Sequence, residues 1–170
     1  VKAGQPIAKV GSSGYSCYPH VHIGIRDKYR NIIDPFSGSC QNRTASLWIT
    51  TPAYDTAMYA IDCGFVPYLP QFDTLLESFE VSDTFSAGRD KLVCFWVQMH
   101  GLRSGCKIRT EWFNPKGKLW YTYRQSWRNN WWYDYNWNYV WMPHKAGAWK
   151  VKYYVNDKLI IERNFYIMNE

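Results

Sequence analysis

His20 and His22 are the residues whose types and spacing point most directly to chemistry. They stand two apart in the run Pro19-His20-Val21-His22-Ile23-Gly24-Ile25-Arg26. On an extended strand alternate side chains share a face, so both imidazoles can point at one spot. Neutral imidazole is the commonest side-chain ligand for a transition metal and a general base near neutral pH. Upstream lies Gly4-Gln5-Pro6-Ile7-Ala8-Lys9-Val10-Gly11-Ser12-Ser13-Gly14, and downstream Asp34-Pro35. Holding the pair in place requires short strands, and the pattern predicts them over Pro6–Val10 and Val21–Arg26. Gly11–Pro19 between them is a loop of small and turn-forming residues.

In this order and at this spacing the three pieces resemble the C-terminal end of the lysostaphin-type (LytM-like) zinc endopeptidase domain. That family's tail reads roughly as G-Q-x-I-G-x-V-G-S-T-G, then G-P-H-L-H-F-E, then V-D-P. The resemblance covers about residues 4 to 35. It implies a zinc metalloendopeptidase that cuts peptide cross-links in bacterial peptidoglycan and works outside the cytoplasm, in the periplasm, at the wall or secreted. It implies His22 as a zinc ligand, and His20 as the residue that activates the attacking water or steadies the transition state. The remaining ligands would be a His and an Asp of an H-x-x-x-D motif lying before Val1. A catalytic zinc takes three protein ligands and keeps one position open. The stretch supplies one, or two if His20 also binds. The chain by itself is therefore expected neither to hold zinc tightly nor to hydrolyse peptides.

Three residues depart from the family pattern. Gly24 stands where Glu often follows the H-x-H, Tyr18 stands where Gly usually precedes the Pro, and Cys17 sits in the small-residue loop. These fit a divergent enzyme or a degenerate site. The alternative to a peptidase fragment is thus a non-catalytic binding, adhesion or assembly module carrying a peptidase remnant.

Composition narrows the class. The 170 residues could form one domain, or a fragment plus a domain. Hydrophobic residues make up 46%, which suits a packed protein, and 19% are aromatic, with ten Trp. The formal charge is +6, but the Lys and Arg are scattered. That is a mildly basic surface suited to anionic surroundings such as a bacterial wall. Nucleic-acid binding would call for a clustered basic stripe, and none is visible. No apolar stretch reaches the ~18 residues of a spanning helix. No nucleophile-elbow, phosphate-loop or EF-hand motif is present. His100 and His144 read as solvated loop residues.

None of the five cysteines (Cys17, Cys40, Cys63, Cys94, Cys106) forms a C-x-x-C pair, which argues against a structural zinc knuckle. One or two disulfides and buried reduced thiols are both open. A hairpin centred near Leu102 would set Cys106 opposite Met99, so no direct Cys94–Cys106 bridge is expected.

The expected fold is all-β: antiparallel strands of a truncated peptidase-like domain over residues 1–38, an ordered linker over 39–76, and a β-sandwich over 77–170. Leu47–Ile49 reads as a brief strand within the linker. From Glu77 onward, strands alternate with turn signals. Ser78–Ser82 alternates weakly. Lys91–Met99 reads as a strand buried on both faces. Cys106–Phe113, Leu119–Arg124, Trp149–Val155 and Leu159–Met168 follow, with turns at Asn114-Pro115-Lys116-Gly117 and Asn156-Asp157. The spacing resembles an immunoglobulin-like or fibronectin-like sandwich.

One strand stands out. Across residues 131–141 the odd positions are Trp131, Tyr133, Tyr135, Trp137, Tyr139 and Trp141, against Asp134, Asn136, Asn138 and Val140. Strict period two makes this a strand with one wholly aromatic face, whereas a helix would scatter the rings. That face could fill the sandwich core, form a protein interface, or offer rings for sugars of a wall glycan to stack on. The expectation is that the middle rings are buried and one or two near an end are exposed. The partners in view are peptidoglycan peptides or glycan, and a protein docking on the sandwich.

Overall fold

The computed structural model describes residues 2, 4–11, 20–36, 46–53, 56–71 and 81–169. Cys17, Cys40 and the loop over residues 12–19 lie outside them. The chain divides into two compact units, Val1–Asp55 and Thr56–Glu170. It is all-β, and no helix among the described residues is long and apolar enough to cross a membrane.

In the first unit the strands are shorter than expected. Among the described residues only β1 (Ile25–Arg26) and β2 (Ile32–Ile33) pair, antiparallel. Pro6–Val10 forms no strand, and the Val21–Arg26 strand shrinks to its last two residues. One isolated antiparallel bridge joins Gly11 to His20. The reason is burial: Ile7, Val10, Val21 and Ile23 are all exposed, and two-stranded ribbons without a covered face are marginal. The turn between β1 and β2 is set by Asp27, whose Oδ1 accepts from the Tyr29 and Asn31 backbone N–H groups at 2.8 and 2.9 Å. Hydrogen bonds from Asn31 hold the Asp27 carboxyl below the usual range. Leu47–Ile49 is a bend, not a strand. Its geometry follows from Ser46 Oγ accepting the Trp48 N–H at 3.0 Å.

The second unit is an immunoglobulin-like sandwich, with eight strands among the described residues. These are β3 (Tyr59–Val66), β4 (Thr84–Ser86), β5 (Leu92–His100), β6 (Lys107–Phe113), β7 (Leu119–Ser126), β8 (Tyr133–Trp141), β9 (Gly147–Val155) and β10 (Lys158–Met168). One sheet runs β4-β10-β9-β6-β7 and the other β3-β5-β8. In the usual lettering these are A′GFCC′ and ABE. The pairing is antiparallel throughout except between β4 and β10, which run parallel.

Two expectations are corrected. The sandwich begins at β3, inside the stretch read as a linker; a register shift between Ala60 and Asp62 breaks the alternation that would have revealed it. The weak alternation at Ser78–Ser82 lies mostly outside the described residues, and a strand follows it at Thr84–Ser86. β5 and β6 do not form a hairpin but belong to opposite sheets. Cys94 faces the outside of one sheet, Cys106 sits in the central core, and both are free thiols, as is Cys63.

The turns are as the sequence reads. Asn114 accepts the Gly117 N–H at 2.8 Å, and Gly117 has φ +72°. Asn156 and Asp157 both take positive φ, as a two-residue hairpin turn requires. The central core is fully buried. Trp112, Trp149, Tyr153 and Phe165 from the large sheet meet Phe65, Phe95 and Met99 from the small one. Trp112 occupies the third-strand Trp position typical of this architecture. Phe95 and Tyr153 touch across the sheets with centroids 6.1 Å apart, where many relatives of the fold carry a disulfide.

Candidate functional site

His20 and His22 are both exposed. The His20 N–H donates to the Gly11 carbonyl at 3.4 Å, tying the H-x-H run to the end of the glycine-rich motif. His22 Nε2 lies 4.0 Å from where a Cβ on Gly24 would sit. Positions 22 and 24 therefore share a face, as alternation demands. Among the described residues no three His, Cys, Asp or Glu side chains gather into a metal-binding group. One or two exposed imidazoles fall short of the three ligands a catalytic zinc takes, so the described residues do not by themselves fit that ion.

His100 is no solvated loop residue. It closes β5, its Nδ1 lies 3.0 Å from the Ala57 carbonyl oxygen, and its ring stacks on Tyr59. His144 is exposed in the turn after β8.

The aromatic strand keeps its period of two but turns the other way. From Asn136 on, the buried positions of β8 are Asn136, Asn138 and Val140, whereas Trp137, Tyr139 and Trp141 are exposed, Trp141 to 65%. Trp131 is exposed ahead of the strand, Tyr133 is half-buried, and Tyr135 is buried. Of the middle rings expected to be buried, Tyr135 is, though in a second cluster and not the central core, whereas Trp137 and Tyr139 are exposed. The physical reason lies in the facing sheet, whose Trp112, Trp149 and Tyr153 already occupy the ~10 Å between layers. β8 answers them with short polar side chains. Asn138 Oδ1 accepts from Trp112 Nε1 at 2.9 Å, and Asn138 Nδ2 donates to Thr110 Oγ1 at 2.9 Å. Asn136 Nδ2 donates to Gln125 Oε1 at 2.9 Å, which also accepts from the Tyr123 hydroxyl at 3.0 Å. Buried amides are tolerated when paired in this way.

The outward rings divide into two groups. Tyr135 joins Val66, Leu92, Cys94 and Trp96 in a second apolar cluster on the outer face of the small sheet. Burial there pushes the Cys94 thiol up to about 12. Trp137, Tyr139 and Trp141 instead border a cleft of about 1220 Å³. Its opposite wall is β7, through Trp120, Tyr121 and Tyr123, and it reaches in to Trp149. The rings are held in place: Trp149 Nε1 donates to the Lys145 carbonyl at 2.9 Å, and Trp120 stands edge-on to Trp149 with centroids 5.1 Å apart. Tyr139 and Trp141 meet at 86° with centroids 5.6 Å apart. The ionisable lining includes His144 and Lys145 but no carboxylate. By contrast, the large sheet bears ion pairs of Glu111 with Arg109 and of Glu162 with Lys150 and Lys152.

The residues of β7 were not anticipated as part of a site. Trp120-Tyr121-Thr122-Tyr123 is aromatic in sequence, but only the sheet pairing sets it opposite β8.

No family model and no curated protein matches the chain. Among the solved structures similar to it are two from pseudomonads. One is the alkylpurine DNA glycosylase AlkC of Pseudomonas fluorescens bound to DNA containing an abasic site analog, at 8% identity and a TM-score of 0.40. That match covers 65% of this chain, which spans only 30% of the glycosylase. The other is an immunoglobulin-like protein of Pseudomonas aeruginosa, at 11% identity and a TM-score of 0.40, covering 67% of this chain and 94% of that one.

Proposed function

We propose that the chain is a fragment of a lysostaphin-type zinc metalloendopeptidase acting on peptidoglycan outside the cytoplasm, with the sandwich as its accessory domain. The observation that carries this reading is the antiparallel Gly11–His20 bridge, which joins two of the three family motifs through the backbone. In the complete enzyme His22 would supply one ligand and an upstream H-x-x-x-D motif the others. Zinc so held would polarise a scissile carbonyl and supply a nucleophilic water near neutral pH. His20, two residues from the ligand, would hydrogen-bond that water or the oxyanion.

The test uses the full-length natural protein on purified peptidoglycan, with release of new amino groups as the readout. Activity is expected, with loss of about a hundredfold or more for His20→Ala, as for a residue acting in the transition state. For His22→Ala both activity and bound zinc are expected to fall. A full-length protein that carries no zinc and releases nothing would overturn the reading and favour the non-catalytic binding module.

A further inference from the structure

We infer that the cleft between β7 and β8 is a peptide-binding site, in which an extended polypeptide segment of a partner protein adds as a strand to the free edge of β8. The inference stands apart from the peptidase reading, since every residue it uses belongs to the sandwich unit.

The first argument is topological. In the four-stranded ABED sheet of this architecture a D strand lies beside E. Here residues 127–132 lead from β7 to β8 without forming a strand, and β8, the E strand, ends the three-stranded sheet, its stretch Trp137–Trp141 pairing with β5 alone among the described residues. A free edge offers unpaired backbone N–H and C=O groups. The second argument is that the cleft exposes this edge. Residues of both parities on β8, Asn138 and Val140 as well as Trp137 and Tyr139, line it. A surface built only from one sheet face would show a single parity.

The third argument concerns protection. Edge strands are normally blunted by Lys, Pro or inward charges, yet residues 137–141 read Trp-Asn-Tyr-Val-Trp, all neutral. β8 also carries no bulge against β5 that would twist it away. The fourth is periodicity. Rings at Trp137, Tyr139 and Trp141 repeat every ~6.7 Å along the strand, the side-chain repeat of a strand lying alongside. Alternate ligand side chains would fall beside successive rings while the main chain pairs. This is how strand addition divides affinity from specificity. Lys145 and His144 without a lining carboxylate favour a neutral or acidic segment over a basic one.

The experiment follows backbone amide exchange in the intact chain on adding a capped, soluble peptide of alternating Val and Thr with acidic ends. Because strand addition draws affinity from the main chain, a generic β-prone sequence suffices as the probe. At about ten times its dissociation constant, exchange of edge amides within residues 137–141 should slow roughly tenfold. The same peptide N-methylated at alternate residues should lose the effect, and Trp141→Ala should weaken binding by about fivefold to tenfold. Unchanged exchange on β8, or equal binding of the N-methylated peptide, overturns the inference. So does binding of peptide-free peptidoglycan glycan that the peptide cannot displace, or self-association of the chain that protects the same amides without peptide.

Discussion

Asn138 Oδ1 accepts the Trp112 indole N–H at 2.9 Å in the middle of the sandwich, so one amide on the small sheet fixes the largest ring of the other. The same amide donates to Thr110 Oγ1. Asn138→Leu removes both bonds and leaves a buried indole donor unpaired. It should cost about 1–3 kcal/mol, read as a lower urea midpoint with an unchanged slope.

Asp134 gives a pH signature. Burial holds its carboxyl above the usual range, only partly opposed by the Tyr135 N–H it accepts at 2.7 Å. A raised acid favours the folded state while protonated, and that advantage is lost as pH rises from the unfolded value through the folded one. Asp134→Asn should therefore be more stable than the parent at neutral pH and equal to it in strong acid, as measured by thermal melts across the acid range. A parent that gains stability relative to the variant on going to neutral pH would contradict this.

Asp90 has the opposite sign. Its carboxyl is held below the usual range by the Arg89 side chain and by the Ser86 N–H, which donates to Oδ2 at 2.8 Å. That contribution is present above the unfolded value near ~3.9 and is lost as pH falls through the folded one. Asp90→Asn should melt lower than the parent at neutral pH, with the gap closing in acid.

The thiols should separate by exposure. Cys94 is fully buried, with its thiol pushed up to about 12, whereas Cys63 is only half-buried. Iodoacetamide applied to the native protein should label Cys63 and leave Cys94 until denaturant is added, as peptide mass mapping would show.

Gly64 marks a close crossing. A Cβ built there would lie 2.5 Å from Val81 Cγ1 and 3.2 Å from Trp96 Nε1. Gly64→Ala should destabilise the sandwich by about 1–3 kcal/mol, and Gly64→Ala combined with Val81→Ala should recover part of that loss.

Much of the sandwich is legible in the sequence because its signals are local. The Lys91–Met99 run, the alternation through Trp112 and the two turns at Gly117 and Asn156-Asp157 each specify their own geometry. Period two in residues 131–141 is equally local, but the direction each face takes is not. Aromatic rows and asparagine rows can both be buried, and the choice depends on whether Thr110, Trp112 and Gln125 stand opposite to pair the amides. β3 escapes because its register shift interrupts the pattern. At the tail, the H-x-H spacing is plain, yet the strands expected around it shrink because nothing in that unit covers Val21 and Ile23. The cleft is illegible for a different reason: β7 pairs with β6 and β8 with β5, so its two walls belong to different sheets and never pair with each other.

The parallel pairing of β4 with β10 has a mechanical consequence. Thr84 aligns with Tyr166 and Ser86 with Met168, so the first strand of the large sheet and the last strand of the chain point the same way. Tension drawn backward on Thr84 and forward on Met168 loads these rungs together in shear, instead of peeling them apart in sequence. A domain wired like this can bear a pull along its length before its core opens.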